Sequence, residues 1–169
     1  MPKITAILHT HNDVQRIGRA LESLRPFDEV LVIDHASTDG TVKLARHHGA
    51  TVREGAPGAN AGVDVIGAHH DWLFCMLPNE SLSESLEASL FEWKELEPGP
   101  LDQADPNAKA NRNETYSVKI RDETESGWQR LAAETRLVHR QRMNWGEALP
   151  PNNKASILLA GDLLRFSKP

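Results

Sequence analysis

Apolar residues in the first half of the chain fall either in short continuous runs or at helical spacing. Uninterrupted apolar runs are typical of strands buried on both faces, and they predict strands at residues 4–8, 30–33, 50–53 and 71–76. Between the strands, apolar residues recur every three or four positions and predict amphipathic helices at residues 14–24, 41–48 and 59–68. Asp13 is the expected N-cap of the first helix. Strands that alternate with helices predict a parallel sheet.

The pattern changes in the second half of the chain. Ser83 is the expected cap of one more helix, and residues 97–114, rich in Pro, Gly, Asp and Asn, predict an exposed connector. Alternating apolar residues from Thr115 and again at 135–143 predict antiparallel strands, and residues 157–166 predict a closing strand or hairpin. The expected fold class is α/β, with a mostly parallel sheet, flanking helices and a small antiparallel C-terminal part.

Composition narrows the class of protein further. The chain has 169 residues, 39% hydrophobic and 25% charged, as expected for one soluble domain. Its formal charge is -5 and it has no dense Lys/Arg run, which argues against nucleic acid as a partner. No apolar stretch approaches the roughly 20 residues of a transmembrane segment, so we expect a cytoplasmic protein. The single cysteine, Cys75, lies in an apolar run and is expected to be an inert core thiol.

Polar segments follow three of the predicted parallel strands: Thr10–Asp13, Asp34–Asp39 and Asn79–Ser81. Carboxyl ends of parallel strands meet at one edge of a sheet, where ligands of open α/β folds bind. Asp34 is therefore the first functional candidate, and the turn 37–41 offers a helix start for an anion such as phosphate. Ordinary loop and capping chemistry is the alternative explanation.

Histidines at the same edge raise a separate possibility. His9 and His11 end the first strand, and His35 ends its neighbour. Three imidazoles brought together in this way could bind Zn²⁺. Surface or supporting histidines account for most such spacings, so this stays an alternative.

The strand ends carry a resemblance to a known family. Thr10 and Asn12 match its T-x-N-E-like loop, and Ile33–Thr41, reading I-D-H-A-S-T-D-G-T, matches its V-D-D-G-S-T-D-G-T-like strand and turn. The match continues through Gly49–Val52, Asn60 in an N-x-G slot, and Asp71–Leu73. On these residues the sequence resembles the family 2 glycosyltransferases.

The resemblance implies a single GT-A-type domain over residues 1–169, with a nucleotide-binding half at 1–96 and an acceptor-side half at 115–169. It implies a nucleotide-diphosphate sugar, most simply a UDP-sugar, as donor, and a saccharide or lipid-linked acceptor. Asp34 would hydrogen-bond the base, and Thr10 and Asn12 would line the nucleoside pocket. The remaining implied substrate-binding residues of this half are Ser37, Asp39 and Asn60.

The second half resembles one branch of that family. Glu134–Arg140 looks like the R-L-F-R-R segment of the lipopolysaccharide core glucosyltransferase-like branch, and Trp145–Glu147 looks like its later H-E end. Inverting transfer needs a carboxylate as general base for the acceptor hydroxyl. The candidate bases are Glu80, Glu134 and Glu147.

The sequence departs from the family pattern at the metal motif. The family's D-x-D-E, which holds Mg²⁺ or Mn²⁺ on the diphosphate, is Leu77-Pro78-Asn79-Glu80 here. Leucine cannot ligate a cation, so Asn79 and Glu80 are the remaining candidate ligands. A family aspartate further on is replaced by Ala132.

Three explanations of this departure stay open: a metal-independent transferase, a rebuilt site, or a catalytically inactive relative that still binds nucleotide. In a metal-independent enzyme, Arg136 and Arg140 could hold the diphosphate. A nucleotidyltransferase is a weaker alternative, because the loop 9–13 lacks the Gly- and Lys/Arg-rich sequence of a phosphate loop.

Overall fold

The computed structural model describes residues 1–55, 67–96, 115–142 and 147–169, which form a mixed α/β fold. The helices are α1 (Ile17–Glu22), α2 (Thr41–His47) and α3 (Glu84–Leu96), and a 3₁₀ turn covers Arg140–Arg142. The strands are β1 (Ile4–Thr10), β2 (Glu29–Asp34), β3 (Thr51–Glu54), β4 (Trp72–Met76), β5 (Glu80–Leu82), β6 (Thr115–Thr124), β7 (Gly127–Arg130), β8 (Glu134–His139) and β9 (Ile157–Arg165).

All the described strands belong to one sheet, in the order β3-β2-β1-β4-β8-β6-β9-β5, with β7 paired to β6 outside this path. The strands β3, β2, β1 and β4 are mutually parallel, as the βαβ pattern predicts. Strand β8 then pairs antiparallel with both β4 and β6, while β9 runs parallel to β6. The predicted α/β class, with antiparallel strands in the C-terminal part, is confirmed.

The sheet is buried on both faces because its central strands are apolar at successive positions. In β1, Leu8 belongs to the main core, whereas Ile7 points to a second cluster with Leu31, Ile33 and Leu73. The helices cover the main core. Helix α3 contributes Leu86, Leu90 and Trp93, which lie on one face at helical spacing. No helix among the described residues is long and apolar enough to cross a membrane.

Several predicted elements are confirmed and others need correction. Ser83 caps α3, since its hydroxyl accepts the Leu86 N–H at 3.3 Å. Asp13 does not cap α1, which begins later, at Ile17. Its carboxylate turns back to accept the Thr10 hydroxyl at 2.8 Å and the His11 N–H at 3.0 Å.

Residues 157–165 form one strand, so the hairpin alternative is wrong. Most of the predicted helix 59–68 and the connector 97–114 lie outside the described residues.

Gly161 lets the closing strand β9 pack tightly against the start of α3. The β6–β9 register shifts here, and Gly161 adopts φ +94°. A Cβ at this position would lie 2.3 Å from the Leu86 backbone nitrogen. The next residue, Asp162, exchanges hydrogen bonds with Ser83: its N–H donates to the Ser83 hydroxyl and its carbonyl accepts the Ser83 N–H, both at 3.0 Å.

We expect Gly161→Ala to lower the free energy of unfolding by about 2–4 kcal/mol, because it adds both left-handed strain and a backbone clash. Gly127→Ala is the matched control: Gly127 has φ +126°, but a Cβ added there would meet no heavy atom within 4 Å. That control should cost only about 1–2 kcal/mol. Urea denaturation of both variants measures the difference, and equal losses would contradict the tight packing of β9 on α3.

Candidate functional site

Two loops at the carboxyl ends of β1 and β2 are bonded to each other and form one polar surface. We call residues 11–16 the first loop and residues 35–40 the second loop. Thr10 and Asp34, which end the two strands, are neighbours in the parallel register. The Asn12 N–H donates to the Ser37 hydroxyl at 2.9 Å, and the Asn12 side-chain oxygen accepts the Thr38 N–H at 2.8 Å. The side chain of Asn12 therefore bridges the loops.

Asp34 is nearly buried at the base of this surface, with 6% of its area exposed. Its carboxylate accepts the Ser37 N–H at 3.1 Å and also the Ser37 hydroxyl. Its carbonyl accepts the Gly55 N–H at 2.9 Å, which fixes the strand end on the β3 side. The structure thus brings together four of the predicted substrate-binding residues: Thr10, Asn12, Asp34 and Ser37.

Both loops contain a residue in the left-handed region of backbone conformation. Asn12 has φ 52° and Ala36 has φ 56°. Asparagine adopts this conformation readily, whereas for alanine it is uncommon and costs about 1 kcal/mol or more. Such strained residues concentrate at ligand sites. Here they give the two loops the shape that lets Asn12 reach across to the second loop.

Asp39 occupies the start of α2 with its own carboxylate. The carboxylate accepts the Thr41 hydroxyl, the Thr41 N–H at 2.9 Å and the Val14 N–H at 3.3 Å. The Thr41 hydroxyl is the main reason that the pKa of Asp39 lies below its usual range. The Asp39 carboxylate thus already accepts the first N–H of α2, which the sequence offers to an anion such as phosphate.

The three histidines do come together at this edge, as the sequence predicts. His9 Nδ1 lies 2.9 Å from His35 Nε2, the two rings are stacked with centroids 5.2 Å apart, and His11 Nδ1 lies 2.5 Å from the His35 carbonyl oxygen. They bond to one another and to the backbone. The residues that the structure describes contain no group of three or more His, Cys, Asp or Glu side chains placed to hold a metal ion.

A second polar region, the ionic cluster, lies beyond the carboxyl end of β4 and consists of Glu80, Glu134, Arg136 and Arg165. Glu80 and Arg136 are both 0% exposed and form a two-pronged pair, with N···O distances of 2.8 and 2.7 Å. Glu134 accepts from Arg136 at 2.7 Å. Arg165 donates to Glu80 at 3.0 Å and to Glu134 at 3.2 Å. Two carboxylates and two guanidinium groups balance in charge.

The ionic cluster keeps its two partly exposed members, Glu134 and Arg165, in the charged form. Burial alone would raise the pKa of Glu134, but the positive charges and hydrogen bonds of Arg136 and Arg165 outweigh it and lower that pKa. Burial likewise opposes the charge of Arg165, and Glu80 and Glu134 raise its pKa. The neighbouring Cys75 thiol is fully buried, which raises its pKa to about 12 and keeps it protonated, in line with an inert core thiol.

The predicted metal ligands Asn79 and Glu80 already have protein partners. Glu80 accepts the Leu77 N–H at 2.8 Å in addition to the two arginines. The Asn79 side-chain nitrogen donates to the Phe166 carbonyl at 3.1 Å. A carboxylate paired with two guanidinium groups cannot also serve a divalent cation without breaking those pairs. As arranged, these two side chains do not fit Mg²⁺ or Mn²⁺.

The other predicted residues are scattered. Arg140 lies at the amino end of β4, where it donates to the carbonyls of Ala68 and His70. Asp34 lies at the carboxyl end of the parallel strand β2, so the two residues are at opposite ends of the strands. Glu147 is exposed, and no described contact links it to the ionic cluster. Asn60 lies outside the described residues. Sequence reasoning missed Arg165, whose only local signal is a charged residue at the end of an apolar strand.

Comparison with known proteins finds sequence relatives that match about half of the chain. No family model matches the chain. It is 36% identical over 92 residues to an uncharacterized glycosyltransferase of Rickettsia felis, covering 52% of this chain and 32% of the relative. It is 37% identical over 90 residues to another uncharacterized glycosyltransferase, from Rickettsia bellii, covering 50% of this chain and 30% of that relative. The chain spans about a third of the length of these curated relatives.

Solved structures extend the likeness to the three-dimensional fold. The crystal structure of S. aureus TarS 1–349 in complex with UDP-GlcNAc gives a TM-score of 0.53 at 17% identity, over 74% of this chain and 36% of that one. The crystal structure of mannosyl-3-phosphoglycerate synthase from Rubrobacter xylanophilus gives a TM-score of 0.52 at 16% identity, over 73% of this chain and 42% of that one. The chain therefore has the GT-A-type fold of glycosyltransferases, and the predicted fold is confirmed.

We expect Arg136→Met to lower the free energy of unfolding by about 3–5 kcal/mol, because it leaves the Glu80 carboxylate buried without its main partner. The double variant Arg136→Met/Glu80→Leu should recover part of the loss, since no buried charge remains. The control is Arg25→Met, which removes an ion pair to Glu87 from an arginine side chain that is 71% exposed. It should cost at most about 1 kcal/mol. Chemical denaturation checks all three, and equal costs for Arg136 and Arg25 would contradict the role of the cluster.

We also expect Glu134 to contribute stability that is lost in acid. Because folding lowers the pKa of Glu134 below its ordinary 4.5, the unfolded chain binds this proton more readily than the folded one. The contribution is complete above pH 4.5 and disappears as the pH falls through the lowered pKa. The difference in unfolding free energy between the wild type and Glu134→Gln should therefore shrink between about pH 6 and pH 3. Urea denaturation across that range tests this, and a difference that grows in acid would contradict it.

Proposed function

We propose that this chain binds a nucleotide-diphosphate sugar at the two bonded loops and takes part in transferring the sugar to an acceptor hydroxyl. One observation carries the proposal. Asp34, nearly buried at the end of a parallel strand, lies beneath a surface that Asn12 and Ser37 hold in a fixed shape. A preformed polar surface at the carboxyl ends of parallel strands is suited to reading a base and ribose.

In this proposal Asp34 accepts a hydrogen bond from the nucleotide base, and Thr10 and Asn12 line the nucleoside pocket. A UDP-sugar is the preferred donor, supported by the similarly folded TarS, whose crystal structure is a complex with UDP-GlcNAc. The sequence similarity to uncharacterized glycosyltransferases supports the same class of reaction. The division of the chain into a nucleotide-binding half at 1–96 and an acceptor-side half at 115–169 is part of the proposal.

The transfer step requires a base near the acceptor. The base takes the proton of the acceptor hydroxyl while the new glycosidic bond forms, and the nucleoside diphosphate leaves with the electrons of the broken bond. Of the two candidate bases in the ionic cluster, Glu80 is fully buried, whereas the Glu134 side chain is 23% exposed. Glu134 is therefore our preferred base. Arg136 and Arg165 keep it ionised and also lower its basicity, so the acceptor hydroxyl must displace one of these arginines before Glu134 takes its proton.

A binding module without turnover is the second candidate function. The observation in its favour is that the two residues at the family's metal motif serve internal contacts: Glu80 pairs with Arg136, and Asn79 bonds to Phe166. Such a protein would keep nucleotide recognition and lack transfer. Hydrolysis of a UDP-sugar, measured with and without Mn²⁺, separates the two candidates, because turnover that is lost in Glu134→Gln excludes the inactive module.

We expect calorimetry to show saturable binding of UDP, and Asp34→Asn to weaken it by roughly tenfold or more, because a charged acceptor is replaced by a neutral amide. The matched control is Asp28→Asn. Asp28 is a structural carboxylate at the opposite edge of the sheet, where it accepts the Ile4 N–H at 2.9 Å and the Lys94 ammonium at 2.8 Å. UDP affinity should be unchanged in this control. Absence of UDP binding, or equal binding by Asp34→Asn and the wild type, would contradict the proposal.

A further inference from the structure

Two aromatic side chains meet where the edge strand β7 passes the end of β9. Trp128, on the edge strand β7, is 45% exposed. Its ring meets the ring of Phe166 edge-on, with centroids 5.3 Å apart and an interplanar angle of 84°. The guanidinium carbon of Arg19 lies 3.8 Å from the centre of the Phe166 ring and holds it by a cation–π contact. We call Trp128 and Phe166 the aromatic platform.

The platform is attached to the turn that follows β4. The Phe166 N–H donates to the Asn79 carbonyl at 2.9 Å, and the Asn79 side-chain nitrogen donates to the Phe166 carbonyl at 3.1 Å. The residue before Phe166 is Arg165, a member of the ionic cluster. The strand registers pair Trp128 with Glu123, whereas Arg165 pairs with Asp122, the next residue along β6. Because neighbouring residues of a strand point to opposite faces, Trp128 lies on the other face of the sheet from the ionic cluster.

Charged side chains surround the exposed ring. Arg130 lies two residues along β7 and thus on the same face as Trp128. Across the β6–β7 pair, Glu123 is directly opposite Trp128, and Arg121 is opposite Arg130. Glu123 accepts the Ser167 N–H at 3.1 Å, which holds its carboxylate beside the ring. The surface thus combines one flat apolar ring with donors and acceptors around it.

The size and chemistry of this surface favour a sugar over a protein. Stable protein interfaces bury about 800 Å² per partner, whereas the exposed apolar area here is one indole ring with Leu131 nearby, 37% exposed. A pyranose presents a flat face of C–H groups and a rim of hydroxyls, which matches an aromatic ring bordered by carboxylate and guanidinium groups.

We propose that the aromatic platform binds a saccharide, stacked on Trp128. This binding goes beyond the proposed function and can be measured independently of it. Arg130 and Glu123 bond the hydroxyls at the rim of the sugar. Phe166 and Arg19 act as positioning residues that fix the orientation of Trp128.

Saturation-transfer NMR and titration with a panel of methyl glycosides of glucose, galactose, mannose and N-acetylglucosamine, and their β-linked disaccharides, test this proposal. We expect binding by the wild type and at least about a tenfold weakening in Trp128→Ala, with Trp128→Phe intermediate. The matched control is Phe91→Ala, which removes an aromatic side chain on α3 with similar exposure, 46%. This control should bind the saccharides as the wild type does. UDP affinity, measured by calorimetry, should be the same in all the variants.

Three results would overturn the proposal: no binding of any panel saccharide by the wild type, equal binding by Trp128→Ala, or a dimeric wild type that becomes monomeric in Trp128→Ala. The last result would assign the platform to a second copy of the chain. If only the proposed function fails, the result is different: the wild type binds saccharide at Trp128 but does not bind UDP.

Discussion

The buried pair between Arg136 and Glu80 is the interaction on which the C-terminal part of the fold depends. Both side chains have no exposed surface, and together they join β8 to the short strand β5. Arg136 also donates to the Cys75 carbonyl at 3.0 Å, which ties β4 to the same point, and Arg165 adds β9. Taking two charges out of water is costly, so neither side chain can remain there without the other. The pair therefore fixes the turn 77–80 in one geometry.

The carboxyl ends of the parallel strands therefore carry two regions, which are held together by different kinds of interaction. The loops after β1 and β2 are held by neutral and singly charged hydrogen bonds among short polar side chains, and Asp34 is nearly buried beneath them. The ionic cluster after β4 is held by paired charges that balance one another. Nucleotide recognition is proposed for the first region, and proton transfer for the exposed side of the second. The aromatic platform is bonded to the turn after β4 through Asn79 and Phe166, but Trp128 lies on the other face of the sheet from the ionic cluster.

The sequence predicted the features that depend on local patterns. Apolar runs located β1, β2, β3 and β4, and the spacing of Leu86 and Leu90 located α3, because burial on one or both faces leaves a periodic signal. Arg136 and Arg165 lie 56 and 85 positions from their partner Glu80 in sequence, and such pairs leave no local signal. The sequence therefore predicts a metal ligand or base at Glu80 and gives no reason to expect Arg165 beside it. The structure does not bring Arg136 and Arg140 to one site. Arg136 pairs with Glu80, whereas Arg140 donates to backbone carbonyls before the amino end of β4.

The central claim is that Asp34 reads the base of a nucleotide, and a crystal structure of the chain with UDP tests it most directly. We expect the uracil to lie against the loops after β1 and β2, with a polar atom of the base within hydrogen-bonding distance of the Asp34 carboxylate. UDP bound at another place on the molecule, with Asp34 still bonded to Ser37 alone, would contradict this claim.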